Sequence, residues 1–455
     1  MNLIFLLIVL AAFGTAAWRQ LAGVGAGGDA LPMQALSNAM VASAGGAVEL
    51  ALGLVGMMAL FLGLMKVAEA GGLLVMIARL IRPLMTRLFP EVPPEHPAMG
   101  AMVLNLSANA LGLGNAATPF GIRAMQELDR LNPHPGTATN SMVLFLAINT
   151  SSITLLPTGV IALRAAAGSV DPAAILPTTL FASICGTLAA IAAAFWLARW
   201  FPAAPVGSAV EAQTGRPDVA AVGVTAAEGA GADDAAVDTA AVDTAAADAA
   251  AALDTHAYPL WASLLAIVAV VAMIPVTIVY GRTISPWILP ALMVGFLLFG
   301  LCRGVRVYEV FVDGAKEGFA VALRIIPYLV AILVAIGMLR ASGALEAIVA
   351  SVGSVTARVG LPAEALTMAL LRSLSGSGAY GVMASIIKDP AIGPDSYVGY
   401  LVSTLQGSSE TTFYVLAVYF GAVQVRRMRH ALPAALIADL VAVIAAVAIC
   451  AYLFG

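Results

Sequence analysis

The chain has 455 residues, 61% of them hydrophobic and only 11% charged, with a net charge of -4 at pH 7 and a mean hydropathy of +0.96. A soluble protein of this size carries about 25% charged residues, so the composition excludes a soluble globular fold. A nucleic-acid role is excluded too, because no basic patch supports one.

In chain order, the first apolar run is 3–18, closed by Trp18 and Arg19. It lacks the basic start and small-residue cleavage context of a signal peptide. It therefore reads as an uncleaved membrane helix with an aromatic interface anchor. Further apolar stretches fall at 50–65, 141–163, 175–197, 260–279, 289–301, 320–338, 400–423 and 436–454. Less regular ones fall at 73–88, 99–114, 345–359 and 366–387. With roughly 20 apolar residues needed per crossing, about 10 to 12 membrane segments are expected. Arg79, Arg82 and Arg87 recur along 73–88, which makes it an amphipathic piece that lies on the interface or re-enters. Glu346 and Arg358 give 345–359 the same character. Residues 202–255 are rich in Ala, Asp, Thr and Gly, with Val-Asp-Thr-Ala-Ala repeated at Val237 and Val242. Such a segment cannot build a core and reads as a disordered linker between two membrane halves, 1–201 and 256–455. Arg426, Arg427, Arg429 and His430 place the loop before the last helix in the cytoplasm and the C-terminus outside.

The halves match in order. Each has an apolar helix opened by a carboxylate, Glu49 or Glu317, and then a charged, Gly-containing break at 65–71 or 338–343. The amphipathic segment and a Pro-bearing turn follow. Two polar breaks close the pattern. In the first half they are Asn105-Leu106-Ser107-Ala108-Asn109-Ala110-Leu111-Gly112 and Asn149-Thr150-Ser151-Ser152-Ile153-Thr154. In the second they are Arg372-Ser373-Leu374-Ser375-Gly376-Ser377-Gly378 and Gln406-Gly407-Ser408-Ser409-Glu410-Thr411. The expected fold is an all-α polytopic membrane protein of two homologous helical halves with discontinuous or re-entrant helices. Likeness alone leaves open whether the repeats are parallel or inverted.

Polar side chains inside hydrocarbon-length segments are costly, and a helix broken there exposes backbone groups that lipid cannot satisfy. Broken-helix ends favour ions and polar solutes. The candidate binding residues are therefore Asn105, Ser107, Asn109, Asn149, Ser151, Ser152, Arg372, Ser373, Ser375, Gln406, Ser408, Ser409 and Glu410. Taken singly, any Ser among them also suits close helix packing. Glu410 is expected near mid-depth, facing the bundle interior, where it is protonated, binds a cation or pairs with Arg372. Asn105 and Ile153 stand at the aligned positions of the first half, so both charges are absent together. Glu49, Glu69, Lys66 and Glu317 are expected near membrane edges. Cys185, Cys302 and Cys450 form no ligand spacing or disulfide framework, and the four histidines are scattered. No P-loop, His-Glu-x-x-His motif or nucleophile elbow is present. No enzyme, metal or cofactor is expected.

The halves together resemble the sporulation maturation membrane proteins, A-type followed by B-type, fused in one polypeptide. Leu104-Asn105-Leu106-Ser107-Ala108-Asn109, Ala116-Ala117-Thr118-Pro119-Phe120-Gly121 and Asn149-Thr150-Ser151-Ser152 carry this in the first half. The 372–378 stretch and 406–414 carry it in the second. The resemblance covers nearly all of the chain except the linker. It implies a nucleoside-recognition "gate" domain protein of the bacterial inner (cytoplasmic) membrane, linked in spore formers to spore-core dehydration through transport or cortex peptidoglycan. The metal-ligand cysteines of ferrous iron carriers in this group are absent at both breaks. The leading functional expectation is a secondary transporter or permease for a small polar solute or ion. The alternative is a non-transporting scaffold or regulator of envelope or spore-cortex maturation. Expected partners are that solute or ion, a second copy of the chain, or an envelope protein.

Overall fold

The computed structural model describes residues 2–23, 31–112, 114–201, 258–344 and 360–455. The 202–255 linker and the 345–359 segment lie outside the described residues. Among the described residues the architecture is helical, with one isolated backbone bridge between Thr137 and Arg427. The first half contains α1 (Asn2–Leu21), α2 (Pro32–Ala70), α3 (Leu73–Leu88), α4 (Pro97–Ala110), α5 (Gly114–Arg130), α6 (Asn140–Thr150), α7 (Thr158–Ala166) and α8 (Leu176–Ala198). The second contains α9 (Leu260–Cys302), α10 (Val307–Ala341), α11 (Ala363–Leu374), α12 (Gly376–Ile387), α13 (Tyr397–Ser408), α14 (Thr412–Ala422) and α15 (Ala431–Phe454).

Local chemistry sets the boundaries. Thr139 caps α6 by accepting from Met142 N–H at 3.1 Å. Ser396 caps α13 in the same way, accepting from Gly399 N–H at 3.0 Å. The first polar stretch of each half becomes the tip of a helical hairpin. Asn105 and Ala117, on either side of the α4–α5 tip, are hydrogen-bonded at 2.7 Å, and Gly112 makes the turn at φ +77°. A side chain there would also meet the Leu156 carbonyl, so Gly answers both demands. In the second hairpin a single extended residue, Ser375, separates α11 from α12.

The second polar stretch of each half breaks a helix, and loop pairings fix how the broken helices lie. At one end of the bundle Gly136 O accepts from Arg426 N–H (2.9 Å) and Arg427 N–H (3.1 Å), and Ala138 N–H donates to Arg427 O (3.0 Å). At the other end Arg164 donates to Pro394 O at 2.7 Å, and Val170 N–H donates to Asp395 at 2.8 Å. The loop before α6 thus sits beside the loop after α14, and the loop before α13 beside the loop after α7. The two broken helices, α6–α7 and α13–α14, therefore run in opposite directions. The intact helices α8 and α15 do the same. Phe201, just past α8, lies 6.0 Å from the His430 ring at the start of α15, while Phe454 at the other end stacks on Tyr400 at 3.8 Å.

This antiparallel arrangement divides the core. One apolar cluster joins α4, α5 and α6 to α14 and the start of α15, through Met102, Met125, Phe145 and Tyr419. The other joins α7 to α11, α12, α13 and the end of α15, through Ile161, Met368, Met383 and Leu405. Each cluster takes one hairpin and the opposite arms of both broken helices. The polar breaks fall on the boundary between them.

Outside this centre, α2 and α10 pack antiparallel along their lengths. A methyl group on Gly318 would stand 2.6 Å from Met58 O, and one on Gly314 2.7 Å from Leu62 O. Lys66 bridges the pair to Glu317 at 3.0 Å. The amphipathic 73–88 segment is α3, bent 68° from the helix before it. The expected segments 260–279 and 289–301 both fall within α9, where the apolar helical runs are Leu260–Ala272 and Trp287–Cys302. Ser263 near its start bonds Leu80 O, and Arg303 just past its end reaches Met76.

Among the described residues two helices are long and apolar enough to cross a membrane, Pro172–Ala198 and Ala431–Phe454, or three if the bent pair Val55–Ala70 with Leu73–Leu88 counts as one. That is fewer than the sequence suggests. The reason is physical: the breaks divide crossings into arms such as α6 and α14, 11 residues each, or about 16 Å.

Candidate functional site

The candidate site is the place where the two broken helices cross. Glu410 N–H, in the second break, donates to Thr150 O, at the first, at 2.9 Å. Each break thus satisfies part of the other's exposed backbone. The first hairpin tip closes on the first break, with Leu155 N–H donating to Ala110 O at 2.9 Å. The spanning helix α8 adds Thr187, whose hydroxyl donates to Ser151 O.

Around the first break the amides form a chain. Asn109 donates to Asn149 Oδ1 at 2.9 Å, and Asn149 donates to Phe145 O at 2.9 Å. Asn105 reaches the Tyr419 hydroxyl on α14 at 3.2 Å, tying the first hairpin to the second broken helix. The Oδ1 of Asn105 has no hydrogen-bond partner. Ser107 and Ser151 return to their own helices, donating to Val103 O at 2.7 Å and Ala147 O at 3.0 Å. Those hydroxyls serve packing. Ser152 is buried beside them.

Arg372 organises the second break. It projects from the last turn of α11 and is 8% exposed. Its Nε donates to Gln406 O at 3.2 Å, its Nη1 to the Thr411 hydroxyl at 2.9 Å, and its Nη2 to Ser409 O. A planar guanidinium fits this task, because it presents several fixed donors to carbonyls that a broken helix leaves bare. The expected pair with Glu410 is present at 3.6 Å, but the Glu410 side chain is 41% exposed. Glu410 therefore opens outward, and its part in the crossing is chiefly its N–H. Ser375 caps α12 by accepting from Gly378 N–H at 3.1 Å. Gln406 is buried with Oε1 unpartnered, and Ser408 turns back toward Leu405 O at 3.5 Å.

The buried carboxylate at the crossing is Asp439 on α15, which sequence reasoning missed. Its Oδ2 accepts from Ser373 at 2.8 Å and from Thr412 at 2.7 Å. The signal was present: Asp439 is the only charged residue of 431–455, and a lone acid in a membrane-length run marks a functional or paired site. The crossing holds a cavity of about 10 Å³ between Arg372, Ser373, Ser408, Ser409 and Asp439, room for about one water. Among the described residues no group of three or more His, Cys, Asp or Glu could hold a metal ion.

The family model for nucleoside recognition, Gate, covers residues 51–167 and 322–426, once in each half and through both breaks. Spore maturation protein B of Bacillus subtilis is 46% identical over 167 residues, which is 37% of this chain and 93% of that protein. Spore maturation protein A of the same organism is 45% identical over 159 residues, 35% of this chain and 81% of that protein. The inner membrane protein YjiG of Escherichia coli is 38% identical over 82 residues, 18% of this chain and 54% of that protein. No solved structure matches the chain. With most of the length of both maturation proteins matched and a Gate segment on each side of the centre, the chain belongs to the spore maturation protein A and B family, as a fusion carrying two nucleoside-recognition Gate domains.

Proposed function

We propose that the chain is a multi-pass inner-membrane protein of envelope maturation that works as a scaffold or regulator, with halves at 1–201 and 256–455 joined by the 202–255 linker. The observation that carries this reading is the closed crossing. Arg372 fills the centre, the breaks satisfy one another, and about 10 Å³ remains. The names of the relatives, two spore maturation proteins and an inner membrane protein, support the setting. Arg426, Arg427 and Arg429 gather at one end with Arg130 and Arg199, which puts that end in the cytoplasm. The halves are then inverted repeats, and an envelope protein is the partner.

The test is reconstitution in sealed vesicles with uridine, amino acids and divalent cations offered in turn. The expected result is no flux above protein-free vesicles, while deletion in the host weakens the envelope, read as lysozyme sensitivity, and the wild-type gene restores it. Saturable uptake that Arg372→Ala abolishes would overturn the scaffold reading.

That outcome would establish the second reading, passage of a small polar solute. Two antiparallel helices broken at their crossing are the pattern of membrane carriers, and Asn105 Oδ1 and Gln406 Oε1 are buried acceptors with no partner. Under this reading the structure is the closed state, and the path runs past Asn105, Asn109, Asn149, Arg372, Gln406 and Glu410.

A further inference from the structure

We propose that the end of the bundle around Arg199 is a docking surface for anionic phospholipid, with Arg199, Arg426 and Arg427 on the lipid phosphates. The main chain brings the three together. Arg429 Nε donates to Phe201 O, two residues past Arg199, at 3.1 Å, and its Nη1 donates to Ala138 O at 3.1 Å. The N–H groups of Arg426 and Arg427 are held on Gly136 O. These bonds fix the loop while the Arg199, Arg426 and Arg427 side chains stand exposed. None of the three makes a side-chain hydrogen bond or ion pair among the described residues. The neighbouring acids are engaged elsewhere. Glu127 is paired with Arg123 and Arg130, and Glu91 accepts from Ser141 at 2.8 Å and Asn140 at 3.4 Å.

Free guanidinium groups suit phosphate, because their parallel N–H donors match its oxygens. The residues beside them select a lipid phosphate. Trp196 and Trp200, at the end of α8, are 57% and 69% exposed, and Phe195 and Phe201 are exposed next to them. Indole rings settle at the headgroup level of a bilayer, and each Arg near that level strengthens the hold on anionic lipid. The rival occupant is the 202–255 segment, which begins beside Phe201 and carries nine acids and one Arg. Carboxylates would meet the arginines but leave the rings uncovered, whereas a phospholipid meets both. The opposite end shows no such set among the described residues: Arg164 is buried on Asp395 and Arg340 is paired with Asp389 at 2.8 Å. The inference requires only that the Arg199 end meet a headgroup layer. The membrane-length helix α8 supplies that under either reading of the function.

The experiment is fluorescence quenching in the full chain reconstituted into phosphatidylcholine bilayers, with Trp18, Trp261 and Trp287 replaced by Phe so that Trp196 and Trp200 report. Phosphatidylglycerol brominated in its acyl chains is compared with brominated phosphatidylcholine at equal mole fraction. A several-fold preference for the anionic lipid is expected. It should fall to parity when Arg199→Gln, Arg426→Gln and Arg427→Gln are combined, and stay intact in Lys388→Gln at the opposite end. Equal quenching by the two lipids in the parent chain overturns the proposal, and is the result that occupation by the 202–255 segment would give. A preference that survives the triple substitution overturns it as well. If the triple variant does not fold, salt decides: about 1 M NaCl shortens the screening length to about 3 Å and should abolish the preference, and a preference that persists there counts against arginine–phosphate contact.

Discussion

Arg372 shows how one side chain closes a gap that two broken helices would otherwise leave. It supplies donors to the carbonyls of Gln406 and Ser409 and to the Thr411 hydroxyl. Replacing it with Met leaves those acceptors bare and Glu410 without its ion pair. Arg372→Met should destabilise the chain by about 3–5 kcal/mol, read as a lower melting temperature in detergent. Gly112 is the second sensitive point, since its φ of +77° and the nearby Leu156 carbonyl both exclude a side chain. Gly112→Ala should cost more than the roughly 1 kcal/mol of an ordinary Gly/Ala backbone effect. The Arg372–Glu410 pair was legible in the sequence because both charges are missing from the first half together. Asp439 was not, because one acid in a run rich in Ala, Val and Ile disappears when the stretch is read by its average. Glu410 was expected to face the interior, yet its side chain is 41% exposed, since distance along a run does not say which way a side chain turns.

At the scale of elements, small polar clusters foretold the breaks after Thr150, at Ser375 and after Ser408, because Ser, Asn and Gly inside an apolar run have few other uses, whereas Asn105, Ser107 and Asn109 lie within the intact α4. What they did not reveal was the difference between a hairpin and a broken crossing. The 99–114 stretch reads alone as a span, yet α4 turns back into α5. That return arm carries Arg123, Glu127, Asp129 and Arg130, and so it did not read as a membrane segment. The structure accommodates the charges by burying Glu127 between Arg123 at 3.1 Å and Arg130 at 2.7 Å. At the other end α7 and the α12–α13 loop are joined by a fully buried Arg164, 2.9 Å from Asp395 and beneath the Tyr400 ring at 4.5 Å. Arg164→Ala should cost about 3 kcal/mol. A double-mutant cycle with Asp395→Asn should return a coupling of roughly 1–3 kcal/mol. Additive losses would mean that the two ends of the bundle are not latched by this pair.

For the whole molecule, the antiparallel relation of the halves was invisible in the sequence because it resides in loop-to-loop pairing. Gly136 with Arg426, and Val170 with Asp395, carry that information, and neither pair stands out in a linear reading. The relation makes a prediction about sidedness. In a background with Cys185, Cys302 and Cys450 replaced by serine, Val170→Cys should react with a membrane-impermeant maleimide added to intact spheroplasts. Met428→Cys, at the opposite end, should react only after permeabilisation. Equal labelling of both from one side would contradict the inverted arrangement.

The α2–α10 seam has a consequence for motion. Main chain lies against main chain where Gly314 and Gly318 meet Leu62 and Met58, and the Phe311 ring seats against Gly63 between them. One half cannot swing away from the other without opening a void along the contact, and lengthwise sliding would lift the Phe311 ring out of its notch. Any rearrangement of the centre would then leave these two rods travelling as one unit, with the Lys66–Glu317 bridge on their flank.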